Sequence, residues 1–280
     1  VRAAVLLLLE EVYALRVRIK FAKYDTQRFI GHLDVMRYFQ RLFNRSGLPV
    51  KYSEGYHPHQ ILSFAQPLGL GITSDGEYLD LELTKELDTA FIVNALNEKV
   101  SNGFTILDCV RLSDREENKK LVTAMSLISR SVYMIILKDG YEVSANEFEK
   151  ALVDFTTKEK INVLKKTKKG EREIDLKEFV YEVCMDTDGF RPIYKAPLAN
   201  SVIKEDEIVF KTAHAPEFDN GIKFIVSLAA GSETNINPEL FIEALISNAG
   251  WSFGKEAFRI HRMDLYGGSS SESVPLCQIP

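Results

Sequence analysis

The hydrophobic period changes twice between residues 15 and 83, and that change restricts the chain to a mixed α+β fold. Over 15–21 apolar residues fall at every second position, with Leu15, Val17, Ile19 and Phe21 on one face and Arg16, Arg18 and Lys20 on the other. This is the pattern of a half-buried strand. Over 32–46 the period becomes helical, with Leu33, Met36, Phe39 and Phe43 as the expected apolar face, Gly47 as the stop and Pro49 just beyond. Segments 50–53 and 60–65 read as extended, separated by Glu54-Gly55-Tyr56-His57-Pro58. Alternation returns at 77–83, Asp88 caps a helix over 89–100, and 104–112 closes as a strand. The order βαββαβ is that of a ferredoxin-like unit.

The second half repeats the theme with insertions. A strand is expected at 131–137 and a helix at 144–155, and 161–168 runs into a Lys169-Gly170 hairpin turn. Segment 174–185 reads as strand or helix. Segments 207–212 and 223–228 are expected as strands, Asn237 and Pro238 open a helix to about 247, and 258–265 closes. The expected architecture is two tandem ferredoxin-like halves, 15–113 and 126–266, the second with insertions. They are flanked by an N-terminal extension (1–14), a charged linker (114–125) and a flexible tail (267–280).

Charge is distributed in blocks. The net charge is −5. Between residues 16 and 51, however, nine Lys or Arg face two acids, and between 158 and 169 six Lys face one Glu. Such blocks say more about partners than the total does. The three cysteines, Cys109, Cys184 and Cys277, have no CxxC spacing, so no local motif builds a zinc ribbon or a cysteine-ligated cluster. Sparse thiols fit a reducing compartment. The apolar run at 3–9 is too short to cross a bilayer. The chain is expected to be cytoplasmic, with no membrane partner.

The candidate site lies in 28–67, which holds His32, His57 and His59 of the five histidines. Arg37, Arg41 and Arg45 are four residues apart and line one helical stripe. Planar guanidinium forks suit phosphate oxygens, and a solvated polar face is the alternative. The strand cations are discounted, because Arg16, Arg18 and Lys20 would face Tyr78, Asp80 and Glu82 on a neighbouring strand. His32 with Asp34 at the helix start, and His59 in the turn, are candidates for acid–base chemistry. Helix capping is the alternative for His32, a surface turn position is the alternative for His57, and no metal site is expected. Glu54 is a further candidate base or a turn cap. Tyr52, Ser53 and Tyr56 would contact substrate. Lys165, Lys166, Lys168 and Lys169, on the hairpin, would contact phosphate or RNA, or guard a sheet edge. His214 and His261 are expected on strands in structural roles.

The stretch RFIGHLDVMRYFQRLFNRSGLPVKYSEGYHPHQILSFAQPLGLG, followed by GEYLDLEL, and later KKTKKG…IDL and GSETNINPELFIEAL, resembles the radical SAM-associated domain of unknown function DUF2344. The resemblance runs over about 15–266. It covers Phe29, His32, Leu33, Asp34, Arg37, Gly47, Leu48, Tyr52, Ser53, Gly55, Pro58, His59, Ser63 and Phe64. Gly31 stands where that family usually has Ser, and His57 where it usually has Asn. The resemblance implies the stand-alone form of the domain, a companion to a radical SAM protein in RNA modification. The partner would carry the iron–sulfur cluster and SAM, with no cofactor in this chain. The alternatives are an RNA-processing or RNA-modifying enzyme of endonuclease or pseudouridine-synthase type, and a scaffold that binds only its protein partner.

Overall fold

The alternating segment at the start becomes strand β1 (Leu15–Lys23) in the computed structural model, which describes residues 15–113, 122–167, 170–186, 190–232 and 234–280. The expected extension at 1–14 and most of the expected linker lie outside the described residues. The fold is mixed α+β, and the chain divides into two compact units. One takes the chain to Leu70, Glu77–Ser126 and Cys277–Pro280; the other takes Gly71–Gly76 and Leu127–Leu276. The expected contiguous lobes are therefore interleaved. Short pieces of chain join the unit remote in sequence, a long-range choice that local patterning does not encode.

In the first unit the chain passes from β1 through the His32–Ser46 helix to β2 (Leu62–Phe64) and to β3 (Thr73–Leu83), whose residues from Glu77 on belong to this unit and whose Thr73–Gly76 end belongs to the second. The Thr89–Asn97 helix then leads to β4 (Phe104–Arg111). β1 pairs antiparallel with β4, and β2 antiparallel with β3. The strand order is β4-β1-β3, with β2 against β3. Val17, Ile19 and Phe21 of β1 and Leu79, Leu81 and Leu83 of β3 face Phe39, Leu42 and Phe43 of the first helix in one core. Phe21 and Phe39 meet at 4.5 Å between ring centres, and Phe39 also contacts Phe43, Phe64 and Phe104. Both helices end or begin as their sequences dictate. Gly47 takes the left-handed conformation (φ 71°) after the first, and Asp88 accepts the Phe91 N–H at the start of the second. Segments 50–53 and 60–65 form a three-residue strand and two isolated bridges, Val50 with Leu83 and Tyr52 with Gln60.

The second unit contains β5 (Ile128–Leu137), the Ala145–Thr157 helix, and a hairpin of β6 (Asn162–Thr167) and β7 (Gly170–Asp175). β8 (Val180–Asp186), β9 (Phe190–Lys195), β10 (Lys223–Ala229), the Pro238–Ala249 helix and β11 (Phe258–Gly267) follow. The strand order is β11-β5-β10-β8-β9, antiparallel throughout, and β6 and β7 form a sheet of their own. Thr73 and Ser74 of β3 pair in parallel with His261 and Arg262 of β11. Gly76 is required beside that contact: a Cβ there would meet the Asp264 Cα at 2.3 Å.

Several local expectations fail. Of residues 207–212, expected as a strand, 207–211 belong to the Glu205–Lys211 helix and Thr212 follows it in a turn. Ile208, Val209 and Phe210 imitate a strand in sequence, yet only Ile208 is buried. Three acids in the first turn and a Glu207–Lys211 pair at 2.6 Å favour the helix. His214 accordingly sits in a turn. The expected flexible tail is packed: β12 (Val274–Pro275) pairs with β11, and Leu276 is fully buried. The ambiguous 174–185 resolves into the end of β7, a 3-10 turn at Leu176–Phe179, and β8.

Candidate functional site

The strand cations of the first unit are consumed by the fold. Arg18 donates to both carboxylate oxygens of Asp80 at 2.7 and 3.2 Å, and to the Ile279 carbonyl at 3.0 Å. Asp80 also accepts the Ala124 N–H at 2.7 Å. Arg16 donates to the Val122 carbonyl, and the Lys20 ammonium lies over the Tyr78 ring. The pairing across to Tyr78 and Asp80 follows the expected cross-strand pattern.

The helix carries its arginines outward. Val35, Phe39, Leu42 and Phe43 are buried, while Arg37, Arg41 and Arg45 are exposed. Arg37 pairs with Asp34 at 3.2 Å, so Asp34 serves the helix surface. Arg45 reaches the Lys99 carbonyl and lies over the Tyr38 ring. Leu33, expected on the apolar face, is 65% exposed. It lies two residues from Val35, about 200° around the helix.

The following turn is fastened to this helix. Tyr52 and Gln60 form a bridge at its base. The Tyr52 hydroxyl donates to Asn44 Oδ1 at 3.1 Å, and Gln60 Nε2 donates to the same oxygen at 2.8 Å. Ser53 and His59 close the next rung: Ser53 N–H donates to the His59 carbonyl, His59 N–H to Ser53 Oγ, and Oγ meets His59 Nδ1 at 2.8 Å. His59 is thus a turn fastener. Glu54, Tyr56 and His57 are exposed at the tip, Tyr56 completely, and Gly55 supplies the positive φ (111°). Among the described residues no group of three His, Cys, Asp or Glu is arranged to hold a metal ion.

His32 belongs to a different constellation. Its ring stands edge-on to Phe64, 5.5 Å between centres. It lines a small cleft with Lys23, Gln66 and Glu77, walled by Phe21, Val35, Phe64, Pro67 and Leu68. The enclosed volume is about 10 Å³, room for roughly one water. Lys23 is 2% exposed and donates to the Ile30 carbonyl at 3.0 Å; Glu77 is 5% exposed. Burial holds the His32 imidazole below its ordinary pKa; the Lys23 charge acts in the same direction and the Glu77 charge against it. Lys23 and Glu77 were not among the expected site residues, although the signal was present. Both occupy the inward phase of their strands, Lys23 after Phe21 and Glu77 before Leu79. A charge in that phase is expensive to bury without a partner.

The second basic block sits on β6. Lys165 is half-buried opposite Arg172, and Lys166 is exposed opposite Glu171. Lys168 and Lys169 lie outside the described residues. Elsewhere in the second unit Asp75 gathers two histidines. His214 Nδ1 lies 2.5 Å from its carboxylate and His261 Nε2 lies 3.2 Å away, while His261 Nδ1 meets Thr73 Oγ1 at 2.9 Å. Burial would raise the Asp75 pKa, but hydrogen bonds and charge from His261 and His214 outweigh it and the pKa falls.

A sequence model of the family described as "Uncharacterized protein conserved in bacteria (DUF2344)" matches residues 16–238. The chain belongs to the DUF2344 family. The match takes in the whole cleft, the arginine helix and the β6–β7 hairpin, and ends before β11. No curated protein matches this DUF2344 sequence. Among solved structures it is similar to one titled "Crystal Structure of an Unknown Protein from Galdieria sulphuraria". That protein is 11% identical, with 93% of this chain and 99% of that chain covered at a TM-score of 0.23, a score at which the likeness carries no argument. Among the described residues no helix is long and apolar enough to cross a membrane.

Proposed function

We propose that this protein is an accessory partner of a radical SAM enzyme and binds RNA, or another phosphate-rich substrate, through its first unit. The observation that carries the RNA reading is the fastening of the 52–60 turn to the arginine helix through Asn44. It sets exposed Tyr52 and Tyr56 on the element bound to the helix that exposes Arg37 and Arg41. Guanidinium groups for phosphate and aromatic faces for unstacked bases are what single-stranded RNA requires. The radical SAM association rests on the family resemblance; the partner would bring the iron–sulfur cluster and SAM. Two ferredoxin-like halves are part of this reading, supported by the matching strand orders β4-β1-β3-β2 and β11-β5-β10-β8.

The test is binding of bulk tRNA by the purified protein across a salt series. Each phosphate contact contributes roughly −0.7 to −0.9 to the slope of log K against log salt. Arg37→Glu and Arg41→Glu together should flatten the slope by about two contacts. Salt-independent binding, or an unchanged slope, ends the RNA reading. A second reading, in which the protein itself acts on RNA, is favoured by the His32 cleft: a depressed pKa leaves the imidazole neutral near pH 7, the form a general base needs. Cleavage or base modification of tRNA by the isolated protein, lost in His32→Asn, would support it.

A further inference from the structure

The β6–β7 hairpin has one edge whose use the RNA reading leaves open. β6 pairs with β7 alone, so among the described residues its other edge has no strand partner. A groove of about 610 Å³ runs there, between β6 and the Pro238–Ala249 helix. Its wall takes consecutive residues of the chain, Lys160 to Leu164, and none from β7. A sheet face would contribute alternate residues, so this wall is a strand edge.

The backbone phase is fixed by two hydrogen bonds. The Ile161 carbonyl accepts from Leu176 N–H at 2.8 Å, and Ile161 N–H donates to Asp175 Oδ1 at 2.9 Å. Ile161 therefore directs both backbone groups to the β7 side. In an antiparallel strand the direction alternates, so Asn162, Leu164 and Lys166 turn their N–H and C=O groups toward the groove. The helix side of the groove is mixed: Phe155, Leu240 and Ala244 are apolar, Ser247 and Asn248 are polar, and the exposed Glu243 has its charge answered by Lys255 at 2.8 Å. Leu164 is 62% exposed beside it, and the exposed Lys158 and Lys160 line the rim.

We propose that this edge is a docking site for an extended, acidic–apolar segment of a partner protein, added to β6 as a third strand. Main-chain hydrogen bonds to Asn162, Leu164 and Lys166 hold the segment, and alternate apolar side chains enter the groove. Charge selects the occupant. Lys158, Lys160 and Lys166 repel the same edge of another copy, the usual protection against edge-to-edge pairing, whereas an acidic strand meets complementary charge. RNA fits this edge less well. Glu171 and Glu173 stand in register opposite Lys166 and Leu164, and neither β6 nor β7 carries an aromatic ring on which a base could stack.

The probe is a fluorescein-labelled, amidated nonapeptide of alternating glutamate and valine, followed by fluorescence polarisation with the full chain. Three competitors accompany it: the lysine–valine analogue, the glutamate–valine peptide N-methylated at alternate residues, and a uridine nonamer. Saturable binding is expected, competed by the unlabelled peptide and at least tenfold less well by each of the other three. Leu164→Pro removes an N–H that faces the groove and leaves the β7 ladder intact, the setting in which an edge proline is tolerated. It should weaken binding at least tenfold with an unchanged melting temperature. Equal competition by the lysine or N-methylated peptide overturns the proposal, and so does absence of saturable binding. Preferential competition by the uridine nonamer overturns it in favour of RNA. The peptide arms read main-chain pairing in the wild-type protein, so they decide the matter even if Leu164→Pro unfolds the hairpin. Because tRNA binding by the first unit is measured separately, its failure leaves this proposal standing.

Discussion

Asp80→Ala is the perturbation whose size the structure fixes best. Asp80 is 6% exposed, takes two hydrogen bonds from the 2%-exposed Arg18, and takes a third from the Ala124 N–H. Removing the carboxylate leaves a buried guanidinium without its counter-charge, a loss of about 3–5 kcal/mol. The Ala124 N–H adds an unsatisfied donor worth roughly 1–3 kcal/mol, partly overlapping the first loss. Against a total stability on the order of 5–15 kcal/mol this is a large fraction. With a urea m-value near 3 kcal/mol/M, the midpoint should fall by about 1 M or more. Arg18→Met with Asp80→Leu removes both ions and should recover most of the loss, because a buried pair often contributes little over apolar residues of similar volume. Neither variant should change the salt slope of RNA binding, since Arg18 is spent inside the fold. A loss below about 1 kcal/mol for Asp80→Ala would show that water screens the pair. A double variant as unstable as the single one would show that the uncompensated charge is not the cause.

Two further outcomes follow from the titrating groups. The folded-state pKa values of His32 and Asp75 lie below their ordinary values of 6.5 and 3.8. The unfolded chain therefore binds more protons at and below those values, and stability should be lost as pH falls. His32→Asn should flatten the fall near and below pH 6.5, read as urea midpoints at several pH values; identical profiles for the two proteins would refute the burial argument. Burial pushes the Cys109 and Cys184 thiols up to about 12, so neither should react with a thiol reagent at pH 8 in the native protein. Both should react in urea, and rapid native labelling at either position, located by mass spectrometry, contradicts their burial.

Elements with a strong local pattern or cap were legible in the sequence. β1 and the second half of β3 alternate in sequence although both faces are largely buried, the His32–Ser46 helix has its apolar stripe and glycine stop, and Asp88, Ser144 and Asn237 act as caps. The Glu205–Lys211 helix was not legible, because Ile208-Val209-Phe210 looks like a buried strand until two of the three are seen exposed. Nor were the exchanges of Gly71–Gly76 and Cys277–Pro280 between units, which depend on contacts remote in sequence. In the site, the sequence located the arginine stripe and the turn. Its pairing of His32 with Asp34 and His59 dissolves: Asp34 answers Arg37, and His59 answers Ser53.

The two charged pairs of the first sheet show why strand phase and burial must be read separately. Arg18 and Asp80 occupy the outward phase of β1 and β3, where the sequence suggests water. Residues 122–124 and the C-terminal segment of the same unit supply partners there instead, the Ala124 N–H to Asp80 and the Ile279 carbonyl to Arg18. A polar ladder on the outward phase is thus compatible with full burial when its ions match across strands, and it then serves stability. Lys23 and Glu77 occupy the inward phase, among Phe21, Phe64 and Val35. Apolar residues would pack there at lower desolvation cost. The same strands therefore offer a control within one sheet. Replacing Arg18 and Asp80 together with apolar residues should alter stability and leave binding intact. If the Lys23–His32–Glu77 cleft serves substrate, Lys23→Met with Glu77→Leu should hold or raise the melting temperature while tRNA binding or turnover falls. A variant pair that unfolds the protein without that separation would return the cleft to the ordinary core.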